Sequence, residues 1–359
     1  MKRSITVLLV AFIVMSTMAG CVSGERTASQ PASTQPVQTS DAPVKESTTP
    51  AASEAKEPIV IRLAHEDPPD NQWGMGATHF KELVEQKTNG EVVIQIYDNG
   101  QLGHGVDNIQ QLQTSTLEMT IVGSDLVLVD KFFKFFDLPY LFRDRDHAKK
   151  VLQGSIVEKS NAVLNQHGLV LLGFWENGFR QITNSKKPIV VPDDLKGLKI
   201  RVPENEVRVA TFNGYGANPT AMAFSELYTA LSQGVVDAQE NPYGNIWGDK
   251  LYEVQHYISR SNHVFTPISV LISKTQWDKL SEAHQTALSE AAKETTSWQM
   301  DWIAGQEDAW IDDMVKFGCE FNDVDLDAFV AASQPVWDSV KAELGGEVEA
   351  IIEEIVNTH

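Results

Sequence analysis

Two arginines, Arg180 and Arg201, lie in segments that read as interior strands, and they are the residues of this chain best suited to bind a small anion. A guanidinium stays charged in a protein, and burying it without a partner is costly. Each arginine is therefore expected to hold a carboxylate, a group that its fork of donors binds in two-pronged geometry. That carboxylate could belong to a ligand or to the protein itself, for example Glu204 or Glu176.

Further polar residues stand where predicted strands end. His65, Glu66 and an aspartate directly follow the first predicted strand, and Glu240 and Asn241 end a later one. Ligands of open α/β sheets bind beyond the C-terminal ends of strands, so these side chains are candidates to line a site. Solvated loop charge is the alternative interpretation. No His or Cys stands at metal-ligand spacing from the first group, and we predict no metal and no cofactor.

The sequence lacks a nucleophile elbow, a zinc-binding helix, a phosphate loop and a cysteine pair within the folded body. The glycines of residues 100–105 follow a strand, but their spacing is reversed relative to the dinucleotide-binding motif. We therefore predict that the protein is not an enzyme. An exported enzyme acting on a carboxylated sugar is the alternative, with Glu66, His65 or Glu240 as its acid and base.

Residues 1–20 are predicted to be an export signal. Two basic residues precede the apolar run Ile5–Met15, and small residues stand directly before Cys21, as cleavage requires. A cysteine after Ala-Gly resembles a bacterial lipoprotein processing site, so Cys21 is the predicted lipid attachment point; cleavage without lipid is the alternative. We expect an extracytoplasmic protein, in the periplasm or on the outer face of the cell membrane, held there by the lipid.

Residues 21–57 are rich in Ser, Thr, Ala and Pro, with no aromatic residue. Such a segment cannot bury enough apolar area to offset its ordering entropy, and it is predicted to be a flexible tether. The body, residues 58–359, is long enough for two lobes. A net charge of −20, from 29 basic and 49 acidic residues, argues against binding of nucleic acid.

Strand and helix patterns alternate through the body, which predicts mostly parallel sheets with helices on both faces. Residues 144–167 are predicted to form one helix, and residues 256–261 and 266–273 two strands that cross between lobes. A pattern of 3.6-residue period runs through residues 281–317 and places Trp298, Trp302 and Phe317 on a core-facing stripe. At 1.5 Å per residue this helix would be roughly 55 Å long, enough to brace both lobes.

Five stretches of the body match one known family, and together and in this order they are specific, although each alone would be weak. They are Phe136–Phe142, Trp175–Arg180, Leu195–Pro203, Pro219–Glu226 and Val236–Pro242. Through them the body, from about Ile59 to the C-terminus, resembles the solute-binding proteins of tripartite ATP-independent periplasmic (TRAP) transporters of the dicarboxylate-binding type.

The resemblance implies a periplasmic-binding-protein-like α/β fold: two lobes close on a ligand cleft, joined by hinge strands and spanned by a long helix. We place lobe I at about 58–177 plus 266–305, and lobe II at about 178–265 plus 306–359. By the same resemblance Arg201 makes the two-pronged bridge to the ligand carboxylate, Arg180 is a second contact, and Asn241 orients that group. The partners implied are an organic acid and membrane permease subunits that use an ion gradient.

The rest of the pocket decides which acid is bound. Glu66, if it points into the cleft, would repel a second carboxylate by several kcal/mol at short range and would accept hydrogen bonds from hydroxyls. His65 and Trp175 would suit a sugar-like ring. We therefore predict a sugar acid such as a uronate, with a C4-dicarboxylate as the alternative. A sensor that passes a ligand signal to a membrane partner is the alternative to transport.

Overall fold

The computed structural model describes residues 57–359. The predicted export signal, Cys21 and nearly all of the predicted tether lie outside the described residues. The strands are β1 (Ile59–Ala64), β2 (Val92–Tyr97), β3 (Met119–Val122), β4 (Leu169–Asn184), β5 (Lys199–Val202), β6 (Asn218–Ala221), β7 (Ala238–Pro242), β8 (Tyr257–Arg260), β9 (Phe265–Ser273) and β10 (Glu320–Asp323).

The α-helices are α1 (Gln72–Lys87), α2 (Gly105–Gln113), α3 (Leu126–Val129), α4 (Arg145–Leu152), α5 (Ile156–Gln166), α6 (Glu206–Gly214), α7 (Leu227–Ser232), α8 (Tyr243–Gly248), α9 (Lys274–Trp277), α10 (Glu282–Phe317), α11 (Leu326–Leu344) and α12 (Gly346–Asn357). Short 3₁₀ helices cover Lys131–Asp137, Pro192–Leu195, Phe224–Glu226 and Leu251–Glu253. Polar side chains fix several helix starts: Asn71 caps α1 and Ser281 caps α10 by accepting from backbone N–H groups.

The strands form a sheet in the order β2-β1-β3-β9-β4-β7-β5-β6, and β8 pairs with both β4 and β10. The strand pairs β1–β2, β1–β3, β5–β6, β5–β7 and β8–β10 are parallel, whereas β4 and β9 run antiparallel to their neighbours. The prediction of mostly parallel sheets was therefore incomplete. Two long antiparallel strands join the parallel groups, a reversal that periodicity alone does not encode.

Strand β4 is the crossing element of the sheet. Its first part pairs with β9, and its last part, from Arg180 onward, pairs with β7 and β8. The register shifts between Glu176 and Gly178, and Gly178 has φ +128°, a conformation that suits glycine. This bulge interrupts the alternation of side chains along the strand. The sequence assigned the crossing to residues 256–261 and 266–273, but β8 and β9 each pair with only one part of β4.

Helix α10 confirms the predicted long helix. Leu288 and Ala291 pack in the core around β1, β2 and α1, and Trp310 and Met314 pack in a different core with α7 and α8. The predicted stripe is only partly buried, since Trp298 and Trp302 are half-buried and Phe317 is 56% exposed.

One further prediction differs from the structure. The predicted single helix over residues 144–167 is interrupted between α4 and α5, where Gly154 stands. Helix α12 contacts both of these helices: Glu354 forms an ion pair with Lys159 of α5, and His147 Nε2 of α4 lies 2.8 Å from the carbonyl oxygen of Ile355. The lobe boundaries stay a prediction.

Cys319 is buried directly after α10. Within residues 57–359, we find no helix with the length and apolar character needed to cross a membrane.

Candidate functional site

A cavity of about 200 Å³ opens beyond the C-terminal ends of β1, β3 and β5. Three loops that follow these strands line it, at Glu66, Asp125 and Glu204. Strand β4 adds Asn177 and Arg180 to the wall. In a regular strand residues three apart point to opposite faces, and the bulge at Gly178 is what allows both to reach the cavity.

Arg201 reaches the cavity from β5 without a carboxylate partner among residues 57–359. It is 3% exposed, and its Nε and Nη2 donate to the carbonyl oxygen of Met222 at 2.9 and 2.7 Å. Its other N–H groups make no hydrogen bond within this part of the chain. Burial, followed by the positive charge of Arg180, lowers the pKa of Arg201 to about 10. The guanidinium therefore remains charged at neutral pH, with donors directed at the cavity.

Arg180 also lines the cavity, but its charge is neutralised by the protein. Its Nε donates to Glu240 Oε2 at 2.5 Å, and its Nη2 donates to Glu240 Oε1 at 3.0 Å and to Asn241 Oδ1 at 2.8 Å. The ion-pair alternative raised by the sequence is thus realised for Arg180. Its partner is Glu240, and the Glu176 carboxylate is held instead by Arg145.

A larger buried cluster supports this ion pair. Glu240 Oε2 also accepts from Arg208 Nη1 at 2.8 Å and faces His263 Nε2 at 3.1 Å, and Arg208 Nε donates to Asp137 Oδ1 at 2.9 Å. Burial alone would raise the pKa of the Glu240 carboxyl, but Arg180 and Arg208 hold it far below its usual value. Two guanidinium groups thus face two carboxylates, and the cluster is neutral.

The wall formed by the loops after β1 and β3 is acidic. Burial, with the Glu66 carboxylate as the next cause, raises the pKa of Asp67 to about 8 and that of Asp125 to about 7. Glu66 itself lines the cavity, with its Oε2 3.7 Å from His104 Nδ1. The carboxyl oxygens of this wall can accept hydrogen bonds from a ligand, and the carboxylate of Glu66 disfavours a second negative charge there.

Amide side chains complete the lining. Asn241 Oδ1 accepts from Arg180, and its Nδ2 donates to Gln239 Oε1 at 2.6 Å. Asn177 and Asn245 also line the cavity. As far as residues 57–359 show, the site therefore combines one unneutralised cation with several neutral hydrogen-bonding groups and an acidic wall.

Four of the seven predicted site residues meet at this cavity: Glu66, Arg180, Arg201 and Asn241. The other three do not line it.

Those three residues are buried close to it. His65 is 0% exposed, and burial lowers its pKa to about 4, so the ring is neutral. Trp175 packs in the core, and its Nε1 donates to the carbonyl oxygen of Ala292 at 3.1 Å. Glu240 lies in the neutral cluster described above. Ligand contact by these three residues stays a prediction, and their burial shows that a position near a strand end does not decide the direction of a side chain.

The sequence analysis missed Trp73, Asn177, Asn245 and Asp125, all of which line the cavity. Asn177 stands within the quoted stretch Trp175–Arg180, and a search for polar residues in apolar strands would have found it. Trp73 and Phe224 bring aromatic rings to the lining, whereas the sequence assigned that part to Trp175.

Comparison with known proteins assigns the chain to a family. Residues 63–343 match the model of bacterial extracellular solute-binding proteins, family 7. The chain is 35% identical over 271 residues to a 2,3-diketo-L-gulonate-binding periplasmic protein of Escherichia coli, covering 75% of this chain and 83% of that protein. It is also 35% identical over 304 residues to a C4-dicarboxylate-binding periplasmic protein of Rhodobacter capsulatus, covering 82% and 90%.

A crystal structure of a TRAP periplasmic solute-binding protein from Haemophilus influenzae with bound L-gulonate superposes with a TM-score of 0.80 at 34% identity, covering 84% of this chain and 100% of that one. This similarity confirms the predicted periplasmic-binding-protein-like α/β fold. Because the family consists of binding proteins, the enzyme alternative has no support. The chain belongs to family 7 of the bacterial extracellular solute-binding proteins, which serve TRAP transporters.

Proposed function

We propose that this protein captures a hydroxylated monocarboxylate, a sugar acid such as an aldonate or uronate, and delivers it to a TRAP permease. The observation that carries the proposal is the buried guanidinium of Arg201, which faces the cavity and has no counter-ion among residues 57–359. A buried unpaired charge is costly, and a ligand carboxylate would satisfy it in two-pronged geometry. Arg180, already neutralised by Glu240, would add hydrogen bonds and little net charge.

The acidic wall favours a sugar acid over a dicarboxylate. A second carboxylate would approach the carboxylate of Glu66, and like charges about 4 Å apart repel by about 4 kcal/mol at an effective dielectric constant of 20. Hydroxyl groups would instead donate to the Glu66 oxygens. The relatives include binding proteins for both classes, a diketogulonate in Escherichia coli and C4-dicarboxylates in Rhodobacter capsulatus. The dicarboxylate is therefore the second candidate.

The proposal includes the steps before and after capture. Export, lipidation of Cys21 and the tether over residues 21–57 would hold the body outside the cytoplasm near the permease. A ligand that contacts both lobes favours the closed form only by its greater affinity for that form. The closed form would then dock on the permease, which uses an ion gradient for uptake.

Isothermal titration calorimetry with L-gulonate, D-glucuronate and succinate tests the proposal. We expect at least one sugar acid to bind tenfold or more tightly than succinate, a difference of about 1.4 kcal/mol or more. Tighter binding of succinate than of either sugar acid would transfer the assignment to dicarboxylates. Absence of binding by all three acids would contradict the proposed function.

A further inference from the structure

Behind the cavity, the indole N–H of Trp73 fixes the orientation of a network of side-chain amides. Trp73 Nε1 can only donate, so the atom of Asn177 that it meets at 2.8 Å is Oδ1. Gln72 meets the same oxygen at 2.8 Å and must present its Nε2. The orientations of the Asn177 and Gln72 amides therefore follow from the indole N–H, which cannot accept a hydrogen bond.

The order extends to a third amide. Gln72 Nε2 also lies 2.7 Å from Asn245, which must present Oδ1, and Asn245 Nδ2 then donates to Asp67 Oδ2 at 2.7 Å. Reversal of the Gln72 amide would place its oxygen against Asn177 Oδ1 and Asn245 Oδ1. Gln72 Oε1 is consequently buried without a hydrogen-bond partner among residues 57–359. A buried oxygen without a hydrogen bond is energetically unfavourable, yet this arrangement of amides leaves Gln72 Oε1 in that state.

This direction determines what Asn177 presents to the cavity. Its Oδ1 accepts two donors, whereas its Nδ2 makes no hydrogen bond within the described part of the chain. Asn177 lines the cavity and is 5% exposed. Its two free N–H groups are therefore donors held ready for a ligand oxygen.

Asp67 supplies the complementary group. Its Oδ2 accepts from both Asn71 and Asn245 at 2.7 Å, which leaves Oδ1 for the cavity that Asp67 also lines. A fixed amide donor and a carboxyl oxygen on one lining suit a hydroxyl group, which can accept a hydrogen bond from Asn177 and form a second one with Asp67 Oδ1, an oxygen that donates when protonated and accepts when ionised.

We propose that Asn177 determines specificity by donating a hydrogen bond to a hydroxyl oxygen of the ligand, with Trp73 and Gln72 as positioning residues. The inference rests on the proposed function, since it assumes that Arg201 holds the carboxylate of the same ligand. A ligand with a methylene in place of that hydroxyl would bury the Asn177 N–H groups unpaired. Sites built around a hydroxyl reject such analogues strongly.

The variant Asn177→Asp tests this assignment, because it retains the inner oxygen that accepts from Trp73 and Gln72 and replaces the outward NH₂ by oxygen. The readout is the ratio of the Kd of hexanoate to that of L-gulonate or D-glucuronate, whichever the wild type binds more tightly. We expect the ratio to fall about 10- to 100-fold, as when a buried partner is lost. Asn165→Asp adds the same charge at an exposed position of α5 and should leave the ratio unchanged.

Trp73→Phe provides a second variant, which keeps an aromatic ring and removes the N–H that orders the amides. It should lower the same ratio by a smaller factor. If thermal unfolding shows that Asn177→Asp is misfolded, Trp73→Phe tests the role of Asn177 in its place. An unchanged ratio in every folded variant would overturn the role of Asn177 and leave the proposed function standing. A wild-type protein that binds none of these carboxylates would overturn both.

Discussion

Arg180 and Arg201 face the same cavity from neighbouring parts of one sheet, yet their surroundings differ. Arg180 on β4 shares Glu240 with Arg208 and contacts Asn241, so protein groups satisfy its charge. Arg201 on β5 donates to one backbone carbonyl and forms no ion pair within residues 57–359. Both are 3% exposed, so burial does not distinguish them.

The difference in charge compensation indicates that Arg180 stabilises the fold and that Arg201 serves ligand binding. A neutralised arginine contributes stability and fixed donors, and its removal should damage the fold. An unneutralised arginine is a standing cost to the folded protein that a ligand anion removes. We therefore expect substitutions in the Glu240 cluster to act mainly on stability and substitutions of Arg201 to act mainly on binding.

The largest effect is expected for Glu240→Gln. The variant keeps the shape of the side chain but leaves Arg180 and Arg208 with only Asp137 as a counter-ion, so the free energy of unfolding should fall by about 3–5 kcal/mol. Urea denaturation followed by circular dichroism measures it. The control Glu320→Gln disrupts an exposed pair with His256 and should cost less than about 1 kcal/mol. Equal effects of the two variants would refute the role of the cluster.

Arg201→Ala should weaken binding of the preferred acid by about 2–5 kcal/mol, the usual cost of removing one side of a buried charge pair. Its free energy of unfolding should change little compared with Glu240→Gln, because no protein carboxylate is left unpaired. Arg201→Lys should also bind poorly, because the fork geometry is lost. Calorimetry gives the affinity, and Arg62→Ala, which disrupts the pair with Glu118 on the β1 and β3 side of the sheet, is the control. Native affinity in Arg201→Ala would show that Arg201 does not hold the ligand carboxylate and would refute the contrast with Arg180.

The smallest effect concerns pH. Asp67 and Asp125 have pKa values raised from 3.8 to about 8 and about 7, so the folded state binds their protons more tightly than the unfolded state. Their contribution to stability is therefore lost as pH rises toward 8. His65, with its pKa lowered from 6.5 to about 4, acts oppositely, but only below pH 6.5.

Between pH 6.5 and 8 the free energy of unfolding should thus decrease as pH rises, by on the order of 1 kcal/mol per pH unit. Denaturant titrations across this interval measure the slope, and Asp67→Asn should flatten it. A slope of zero in the wild type would show that neither carboxyl group holds its proton in the folded state.

Much of the fold was predictable because local patterns encode it. The first strand, β1, and the 36-residue helix α10 were predicted, because apolar periodicity encodes them. The interruption between α4 and α5 and the antiparallel insertion of β4 and β9 were not predicted. They depend on which elements pack together, and local propensity carries little information about that.

The sequence by itself determined the chemistry at this site: charged arginines in apolar strands, carboxyl and amide groups at strand ends, and a family resemblance that the comparisons confirm. Only the tertiary structure decided that Glu240 neutralises Arg180, that Arg201 has no ion pair within the described part of the chain, and that Trp73 rather than Trp175 lines the cavity. The physical reason is that charge compensation and side-chain direction depend on contacts between residues distant in sequence. A bulge at Gly178 and a register between β4 and β7 set those contacts, and neither is encoded by residue type alone.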